Sequence, residues 1–304
     1  MELPLIESEP IEIPPPALRP IRDYVDSVVA LAEFRYECNK KNVPYGPVTP
    51  WEQVTKAWGG AIPQGLHTIL GGPGAGKSAF ALQLAAECGC PCVFVTCEMT
   101  PEELVRRIAA RVHRIKVSKF KNGDISGQEV RDLVSEALDS CPELYIANGM
   151  TEYISPEQII SFAEQIREDS AHVLIVIDSF HAWVQSDPSP SSASEYDRLN
   201  AAVGQLLTIA TNLKCPVIAV TEQNRASFGK HAPEEKLHAG AGTRKLEYSP
   251  ETVLSLRRAS YENEELKTNL DRDMILTFEK NRNGKQGEQI TLIFQSGYMG
   301  FKEK

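Results

Sequence analysis

The 304-residue sequence lacks a membrane-spanning stretch, a secretory signal and an excess of basic charge. The apolar run at 173–177 has the length of a strand, whereas a bilayer span needs roughly 18 apolar residues. No basic residue precedes Arg19 and no apolar signal core lies near the start, so we do not expect secretion. The net charge of -9, from 32 Lys and Arg against 41 Asp and Glu, excludes a protein that coats nucleic acid with its whole surface.

The sequence also lacks the paired cysteines of a disulfide framework, since it has seven, an odd number. This count is typical of a reducing compartment, so we expect a cytoplasmic protein with no membrane contact. Four of the seven fall close together, as Cys88, Cys90, Cys92 and Cys97. Their spacing differs from the C-x-x-C pairs of structural zinc sites, so the sequence favours packed thiols over a metal site.

The composition divides the chain into three parts. Residues 1–20 hold six prolines and four glutamates with little hydrophobic periodicity, which predicts an extended, disordered arm. Apolar residues then recur every three or four positions from Ile21 to Asn39, so we assign residues 21–42 to a linker helix. Residues 43–304 form one domain in this interpretation.

Short apolar strands alternate with helical segments through that domain. The pattern predicts strands at 67–72, 92–98, 172–178 and 215–221, helices at 77–87 and 195–213, helix starts at Thr100 and Ser155, and three final strands at 251–258, 273–280 and 289–294. The segment TPEE (100–103) predicts a capping box at the first of these helix starts, in which the Glu103 side chain reaches back to Thr100. Strand–helix alternation that ends in consecutive strands predicts an α/β fold: a mostly parallel, doubly wound sheet with antiparallel C-terminal strands.

A phosphate-binding loop is the strongest chemical signal in the sequence. It satisfies the pattern G-x-x-x-x-G-K-[ST] through Gly71, Gly72, Pro73, Gly74, Ala75, Gly76, Lys77 and Ser78. The loop follows a predicted strand and opens a predicted helix, so its backbone N–H groups can surround phosphate oxygens. Lys77 would neutralise the β- and γ-phosphates, and Ser78 would offer its hydroxyl to Mg²⁺.

Two carboxylates accompany the loop. Asp178 ends the apolar run at 172–178, where a carboxylate can hold Mg²⁺ through the Ser78 shell. Glu98 follows the neighbouring strand, where it can accept a proton from the water that attacks the γ-phosphate. We therefore predict ATP and Mg²⁺ as cofactors.

Five segments together resemble the ATPase domain of DnaB-type replicative helicases, part of the RecA-like superfamily of ring and filament motors. They are GGPGAGKS (71–78), VFVTCEMTPEELVRRI (93–108), LIVIDSF (174–180), PVIAVTEQNR (216–225) and FEKNRNGKQG (278–287). The segment at 242–258 also resembles the RecA recombinases, and the glutamate near the second strand is shared with KaiC-like ATPases.

The resemblance implies a RecA-like fold and a homo-oligomer, expected to be a hexamer, with active sites between subunits. Glu98 is then the general base, and Arg107 is a nucleotide-site arginine nine positions later. Lys280 and Arg282 match a basic pair that such rings insert into the neighbouring subunit's site. A guanidinium that arrives in this way offsets charge on the γ-phosphoryl oxygens. An ordinary basic hairpin is the alternative for this pair.

The sequence departs from the helicases in two places. They carry a polar sensor, usually glutamine, one residue past a serine or threonine, whereas this chain has Thr221-Glu222-Gln223. A glutamate facing a γ-phosphate would be repelled unless it were protonated or turned away, so we expect Gln223 to bind nucleotide, with Glu222 as the alternative. The helicases also carry an N-terminal collar that engages primase, and about fifty residues precede the motor here.

The segment from Arg225 to Lys245 is the candidate nucleic-acid element. Its net charge is +3, from five basic residues against two glutamates. The basic residues are Arg225, Lys230, Lys236, Arg244 and Lys245. In the superfamily the corresponding loop lines the central channel, which suits sequence-independent contact with single-stranded DNA. A solvated surface loop is the alternative.

These observations favour an ATP-hydrolysing ring motor that translocates on single-stranded DNA and unwinds duplex. The main alternative is a RecA-like oligomeric ATPase that acts as a regulator or loader on a protein partner without unwinding. The absent collar and the acidic net charge favour that alternative, and residues 1–20 could be the docking peptide for such a partner. A strand-exchange recombinase and a small-molecule kinase are weaker alternatives.

Overall fold

The structure is a computed structural model that describes residues 18–141, 143–168, 170–189, 193–222, 245–259 and 271–304. Nine strands lie within these ranges: β1 (Gly65–Gly71), β2 (Cys92–Thr96), β3 (Leu144–Asn148), β4 (Leu174–Asp178), β5 (Pro216–Glu222), β6 (Thr252–Arg258), β7 (Asp271–Asn281), β8 (Gln289–Gln295) and β9 (Gly300–Glu303).

The α-helices of the described ranges follow a single 3-10 turn, Ile21–Tyr24. They are α1 (Val25–Lys41), α2 (Glu52–Ala57), α3 (Lys77–Ala86), α4 (Pro101–Val112), α5 (Val117–Asn122), α6 (Gly127–Asp139), α7 (Pro156–Arg167), α8 (Phe180–Gln185), α9 (Glu195–Leu213) and α10 (Lys245–Tyr248).

All nine strands belong to one sheet, in the order β3-β2-β4-β5-β1-β6-β7-β8-β9. The first six strands in this order pair in parallel, and β7, β8 and β9 continue the sheet in antiparallel pairs. The predicted fold class is therefore confirmed. Parallel strands need long crossover connections, and the helices between the strands supply them.

Helices cover both faces of the sheet, which produces two hydrophobic clusters. One face packs against α3 and α4 and includes Phe94, Val176 and Val220. The other packs against α7 and α9 and includes Val95 and Ala219. Because successive side chains of a strand point to opposite faces, both faces of the central strands are apolar. This explains why β2 and β4 are buried along their whole length.

The predicted helix starts are confirmed, with one correction. Ser155 forms a complete capping box with Gln158 at the start of α7. Thr100 caps α4 by accepting a hydrogen bond from the backbone N–H of Glu103. The sequence pattern predicted that the Glu103 carboxylate reaches back to Thr100, but in the structure it does not. Its oxygens instead accept hydrogen bonds from Arg106, Arg107 and Lys121, because ionised donors compete better for a carboxylate than a backbone amide does.

The C-terminal part of the sheet has four strands rather than the predicted three after residue 250. The extra strand is β9, which pairs with β8. The sequence prediction also omitted β3 at the opposite edge. Both omitted strands are short, at four and five residues, and alternation is a weak signal over such a length.

The predicted N-terminal helix is present as the 3-10 turn and α1. In the described structure Cys38 is the one buried residue of α1, and its apolar side chains are largely exposed; Val28 is 67% and Leu31 51% exposed. Residues 1–17 of the proposed arm lie outside the described residues. Among the described residues, no helix is long and apolar enough to cross a membrane.

A buried histidine lies in the central strand β1. His67 is fully buried, its Nε2 lies 2.7 Å from the carbonyl oxygen of Pro63, and its ring meets Trp58 edge-on. Burial lowers the pKa of His67 to about 4, although the bond to Pro63 opposes this shift. The His67 ring therefore becomes protonated below about pH 6.5 in the unfolded chain, but only below about pH 4 in the folded protein.

We expect the free energy of unfolding to fall as the pH drops from about 6.5 to about 4, because protonation of His67 favours the unfolded state. At pH 5 this contribution is roughly 2 kcal/mol relative to pH 7. Urea unfolding at both pH values would measure it in the wild type and in His67→Gln, which does not titrate. Equal losses in the two proteins would show that His67 is not the source.

Candidate nucleotide-binding site

The phosphate loop lies where β1 ends and α3 begins. Lys77 is the first residue of α3, so the free N–H groups of that helix end face the loop. Gly74 and Gly76 have φ angles of +72° and +86°, a conformation that residues with a Cβ rarely adopt. The two glycines thus allow the backbone to curl around an anion at the end of the sheet.

Aromatic side chains of the antiparallel extension support the loop from below. A Cβ on Gly76 would lie 3.0 Å from ring atoms of both Phe294 and Phe301, so the loop packs directly on these rings. The side-chain amide of Gln83 in α3 also bonds the backbone of Phe301 twice: its Nε2 donates to the carbonyl at 3.1 Å, and its Oε1 accepts from the N–H at 2.7 Å. Strands β8 and β9 therefore fix the position of α3.

The Lys77 ammonium lies inside the loop. Its Nζ donates hydrogen bonds to the carbonyl oxygens of Gly71 at 2.9 Å and Gly72 at 3.2 Å. Burial lowers the pKa of Lys77, and the carboxylates of Glu222, Asp178 and Glu98 oppose that shift, in decreasing order. One cation therefore faces three acidic groups at this edge, a local charge that suits a metal–phosphate ligand.

Asp178 and Ser78 lie together, as the sequence predicted. The hydroxyl of Ser78, at the start of α3, donates a hydrogen bond to Oδ1 of Asp178, at the end of β4, over 3.2 Å. Among the described residues no donor reaches Asp178 Oδ2, although this oxygen is buried. Burial raises the pKa of Asp178 to about 6; the Ser78 hydrogen bond opposes the shift and Glu98 adds to it. A hydroxyl and a buried carboxylate with an unpartnered oxygen are hard ligands that fit Mg²⁺.

Glu98 lies two residues beyond the end of β2 and is exposed. One of its carboxylate oxygens, Oε1, accepts a hydrogen bond from the hydroxyl of Ser179, the residue after Asp178. The pairing of β2 with β4 brings the two carboxylates to neighbouring positions, since Thr96 is the register partner of Asp178. Glu98 is thus oriented by Ser179 and open to water, as a proton acceptor must be.

Arg107 approaches the same edge from α4. Its Nε donates to Glu103 Oε1 at 3.0 Å, and its charge counteracts the raised pKa of Asp178. Partial burial raises the pKa of Glu103, but hydrogen bonds from Arg107, Lys121 and Arg106 outweigh this effect and lower it. Glu103 therefore holds Arg107 in place. The sequence interpretation gave Glu103 a capping role and missed this one.

Glu222 is the last residue of β5 and the register partner of Gly71, at the start of the phosphate loop. The preceding residue, Thr221, places its hydroxyl 2.9 Å from Nδ1 of His181, a contact that no sequence signal indicated. The expected sensor Gln223 lies outside the described residues.

Lys280 and Arg282 lie far from the phosphate loop of their own chain. Lys280 Nζ donates to the carbonyl oxygens of Tyr248 and Pro250, both at 2.6 Å, and Arg282 Nη1 donates to Glu251 Oε1 at 2.8 Å. Burial lowers the pKa of Lys280, and the Arg282 charge adds to this effect. The backbone N–H of Glu251 donates to Leu66 O at the start of β1, whereas the loop follows its end. The length of β1, about 20 Å, therefore separates the pair from the loop.

The candidate nucleic-acid element lies almost wholly outside the described residues, which is where Arg225, Lys230, Lys236 and Arg244 fall. Lys245 is described: it is the first residue of α10, and its Nζ donates to Asn200 O at 3.2 Å. The cysteines at 88, 90 and 92 are buried, and Cys97 is half-buried. Within the described ranges, no group of three or more Cys, His, Asp or Glu side chains could hold a metal ion.

A mostly parallel sheet with this loop at the end of its central strand defines a RecA-like P-loop ATPase core. Residues 46–303 match the family described as the DnaB-like helicase C-terminal domain. The chain therefore belongs to that family, and the sequence resemblance is confirmed.

Relatives and solved structures agree with this assignment. The replicative DNA helicase DnaB of Buchnera aphidicola subsp. Baizongia pistaciae is 23% identical over 68% of this chain and 45% of its own length. The replicative DNA helicase DnaB of Pasteurella multocida is 24% identical over 84% of this chain and 55% of its own length. The chain thus spans about half the length of these relatives.

Two solved structures have a similar fold at 19% identity. One of them, an ATPase domain, has a TM-score of 0.74 over 92% of this chain and 98% of its own. The other is a DnaB-like replicative helicase, whose structure was described together with its interactions with primase. It has a TM-score of 0.73 over 94% of this chain and 67% of its own.

Gly76→Ala and Gly74→Ala form a matched pair that tests the aromatic support of the loop. Both glycines have positive φ, but only an added methyl at Gly76 meets the Phe294 and Phe301 rings; in the described structure one at Gly74 meets nothing within 4 Å. We expect Gly76→Ala to lower the free energy of unfolding by roughly 1–3 kcal/mol more than Gly74→Ala. Urea unfolding of both variants measures the difference, and equal losses would contradict the packing role.

Proposed function

We propose that the chain is the motor of an ATP-hydrolysing ring that translocates on single-stranded DNA and unwinds duplex. One observation carries this proposal: Lys77, the Ser78–Asp178 pair and Glu98 converge on one edge of the sheet, at a helix N-terminus. That set can bind a triphosphate and accept a proton from water. Membership of the DnaB-like family supports the choice of DNA as the track.

In the proposed mechanism the backbone N–H groups of residues 74–78 bind the phosphates, and Lys77 leaves the carbonyls of Gly71 and Gly72 for the β- and γ-phosphoryl oxygens. Ser78 and Asp178 would hold Mg²⁺, which offsets phosphate charge when bound. Glu98, oriented by the Ser179 hydroxyl, accepts the proton of the attacking water. Arg107 adds positive charge from α4.

Lys280 and Arg282 complete the site of a neighbouring subunit in this proposal. Their position at the start of β1 rules them out as phosphate ligands in their own chain. Arg282 remains 53% exposed despite its ion pair with Glu251, so it is accessible to a second subunit. A guanidinium supplied across an interface makes hydrolysis depend on the geometry of the ring.

The exposed α1 supports the same assembly. Its apolar side chains lack cover within the described part of the chain, and burial of such side chains against a neighbour is favourable. We therefore propose residues 21–42 as the linker that docks on an adjacent subunit, residues 43–304 as the motor, and a hexamer as the assembly. Residues 1–20 remain a candidate contact for a protein partner, and we propose a cytoplasmic location.

We expect single-stranded DNA to raise the steady-state ATPase rate about tenfold, and added salt to suppress this rise, because backbone contacts release counterions. Lys77→Ala should abolish hydrolysis, and Glu98→Gln should retain ATP binding while turnover falls about 100-fold or more. The measurement is the ATPase rate of each protein with single-stranded DNA, with duplex DNA and without DNA.

A flat response with a finite basal rate would contradict the motor and favour the regulator or loader that acts on a protein partner. In that case the next measurement would be a search for proteins that bind residues 1–20. An active Lys77→Ala protein would exclude the phosphate loop as the site of hydrolysis.

Arg282→Ala should leave ATP binding near the wild-type level and remove hydrolysis, because the residue serves the next subunit's site. Lys285→Ala is the matched control, since Lys285 is an exposed cation of the same hairpin. Mixing Arg282→Ala with Lys77→Ala should restore activity, because about a quarter of the interfaces then join an intact loop to an intact arginine. The readout is the ATPase rate of the mixture.

The mixture must be more active than either variant alone. Inactivity of a mixture that forms rings, or full activity of a dilute, monomeric Arg282→Ala sample, would exclude a role across the interface.

A further inference from the structure

Glu222 is a third carboxylate at the phosphate-binding edge, beside Asp178 and Glu98, and the mechanism above gives it no task. Its register partner in β1 is Gly71, and Val220, two residues earlier, is the partner of Asp178 in β4. Glu222 therefore lies between β4, which carries Asp178, and the phosphate loop that follows β1. It is two residues farther along the sheet than Asp178.

The direction of the Glu222 side chain follows from the alternation of β5. Ile218 and Val220 pack in the hydrophobic cluster that contains Phe80 of α3, whereas Val217 and Ala219 pack in the cluster on the opposite face. Side chains two residues apart lie on the same face of a strand. Glu222 thus lies on the α3 face, where Lys77 begins that helix.

The negative charge of Glu222 opposes the binding of a triphosphate at this edge. Of the three carboxylates that act on the Lys77 ammonium, Glu222 has the largest effect. An attraction of this kind competes with a bound phosphate for the Lys77 ammonium, whose Nζ bonds the carbonyl oxygens of Gly71 and Gly72. A γ-phosphate brings further negative charge to the same place, so Glu222 repels it as well. A nucleoside diphosphate lacks the γ-phosphate and carries less negative charge, so the same carboxylate repels it less.

We propose that Glu222 is a positioning residue that selectively weakens the binding of nucleoside triphosphate, by competing with the phosphates for Lys77 and by opposing the γ-phosphate. It thereby reduces the preference of the site for ATP over ADP. This inference rests on the proposed function, since it takes ATP as the ligand. It also differs from the expectation that one residue of this strand end, Gln223 or alternatively Glu222, binds the nucleotide as a sensor.

The test is equilibrium binding of fluorescent ADP and of a fluorescent, non-hydrolysable ATP analogue to the full chain with Mg²⁺. We expect Glu222→Gln to bind the triphosphate about five- to tenfold more tightly and the diphosphate less than about twofold more tightly. The difference should shrink as the ionic strength rises, because salt screens exposed charges. Glu222→Asp keeps the charge and should retain the wild-type ratio of the two affinities.

Glu164→Gln is the control for net charge, because Glu164 is exposed on α7, away from the site. It should bind both nucleotides as the wild type does. Unchanged or weaker triphosphate binding by Glu222→Gln would overturn the inference, and so would an equal gain for both nucleotides. The proposed function would still stand in either case, provided that the wild-type protein binds the nucleotides. A wild-type protein that binds neither nucleotide would overturn both.

Discussion

The parallel pairing of β1, β4 and β5 is the constraint on which the candidate site depends. Parallel strands end at the same edge of a sheet, so the phosphate loop, Asp178 and Glu222 are brought together although they are spread over about 150 residues of the chain. The period of two in each strand then places both carboxylates on the face that carries α3. A register shift of one residue would turn them to the other face and separate them from Lys77.

The antiparallel extension has two effects on this edge. At one end, Phe301 and Phe294 pack beneath Gly76, and Gln83 bonds the Phe301 backbone, so β8 and β9 determine where the phosphate-loop helix lies. At the other end, the hairpin after β7 carries Arg282 away from its own loop. In the proposed assembly, the same strands support one nucleotide site and present a cation to the site of a neighbouring subunit.

Charge is the second theme of the site. Three carboxylates act on one lysine; burial raises the pKa of Asp178, Glu98 adds to this shift, and burial lowers the pKa of Lys77. Such an arrangement is unfavourable without a ligand, because each buried charge loses hydration. A metal–triphosphate complex supplies both signs of charge: its metal ion can satisfy Asp178 and its phosphates can satisfy Lys77, whereas Glu222 opposes the γ-phosphate in our proposal. Glu222, the last residue of β5, makes this edge of the sheet more acidic than Asp178 and Glu98 alone would.

The sequence by itself determined the chemistry that is local in the chain. The spacing of Gly71 to Ser78, the apolar run that ends at Asp178 and the strand–helix alternation were sufficient to predict the loop and the confirmed fold class, because these signals arise from adjacent residues. Only the tertiary structure decided which side chains meet across strands. It paired Glu103 with Arg107 rather than with the helix cap, placed Glu222 on the face of the sheet where Lys77 begins α3, and placed Arg282 at the far end of β1. These contacts depend on register, strand order and competition between donors, which are properties of the whole sheet and leave no pattern in neighbouring residues.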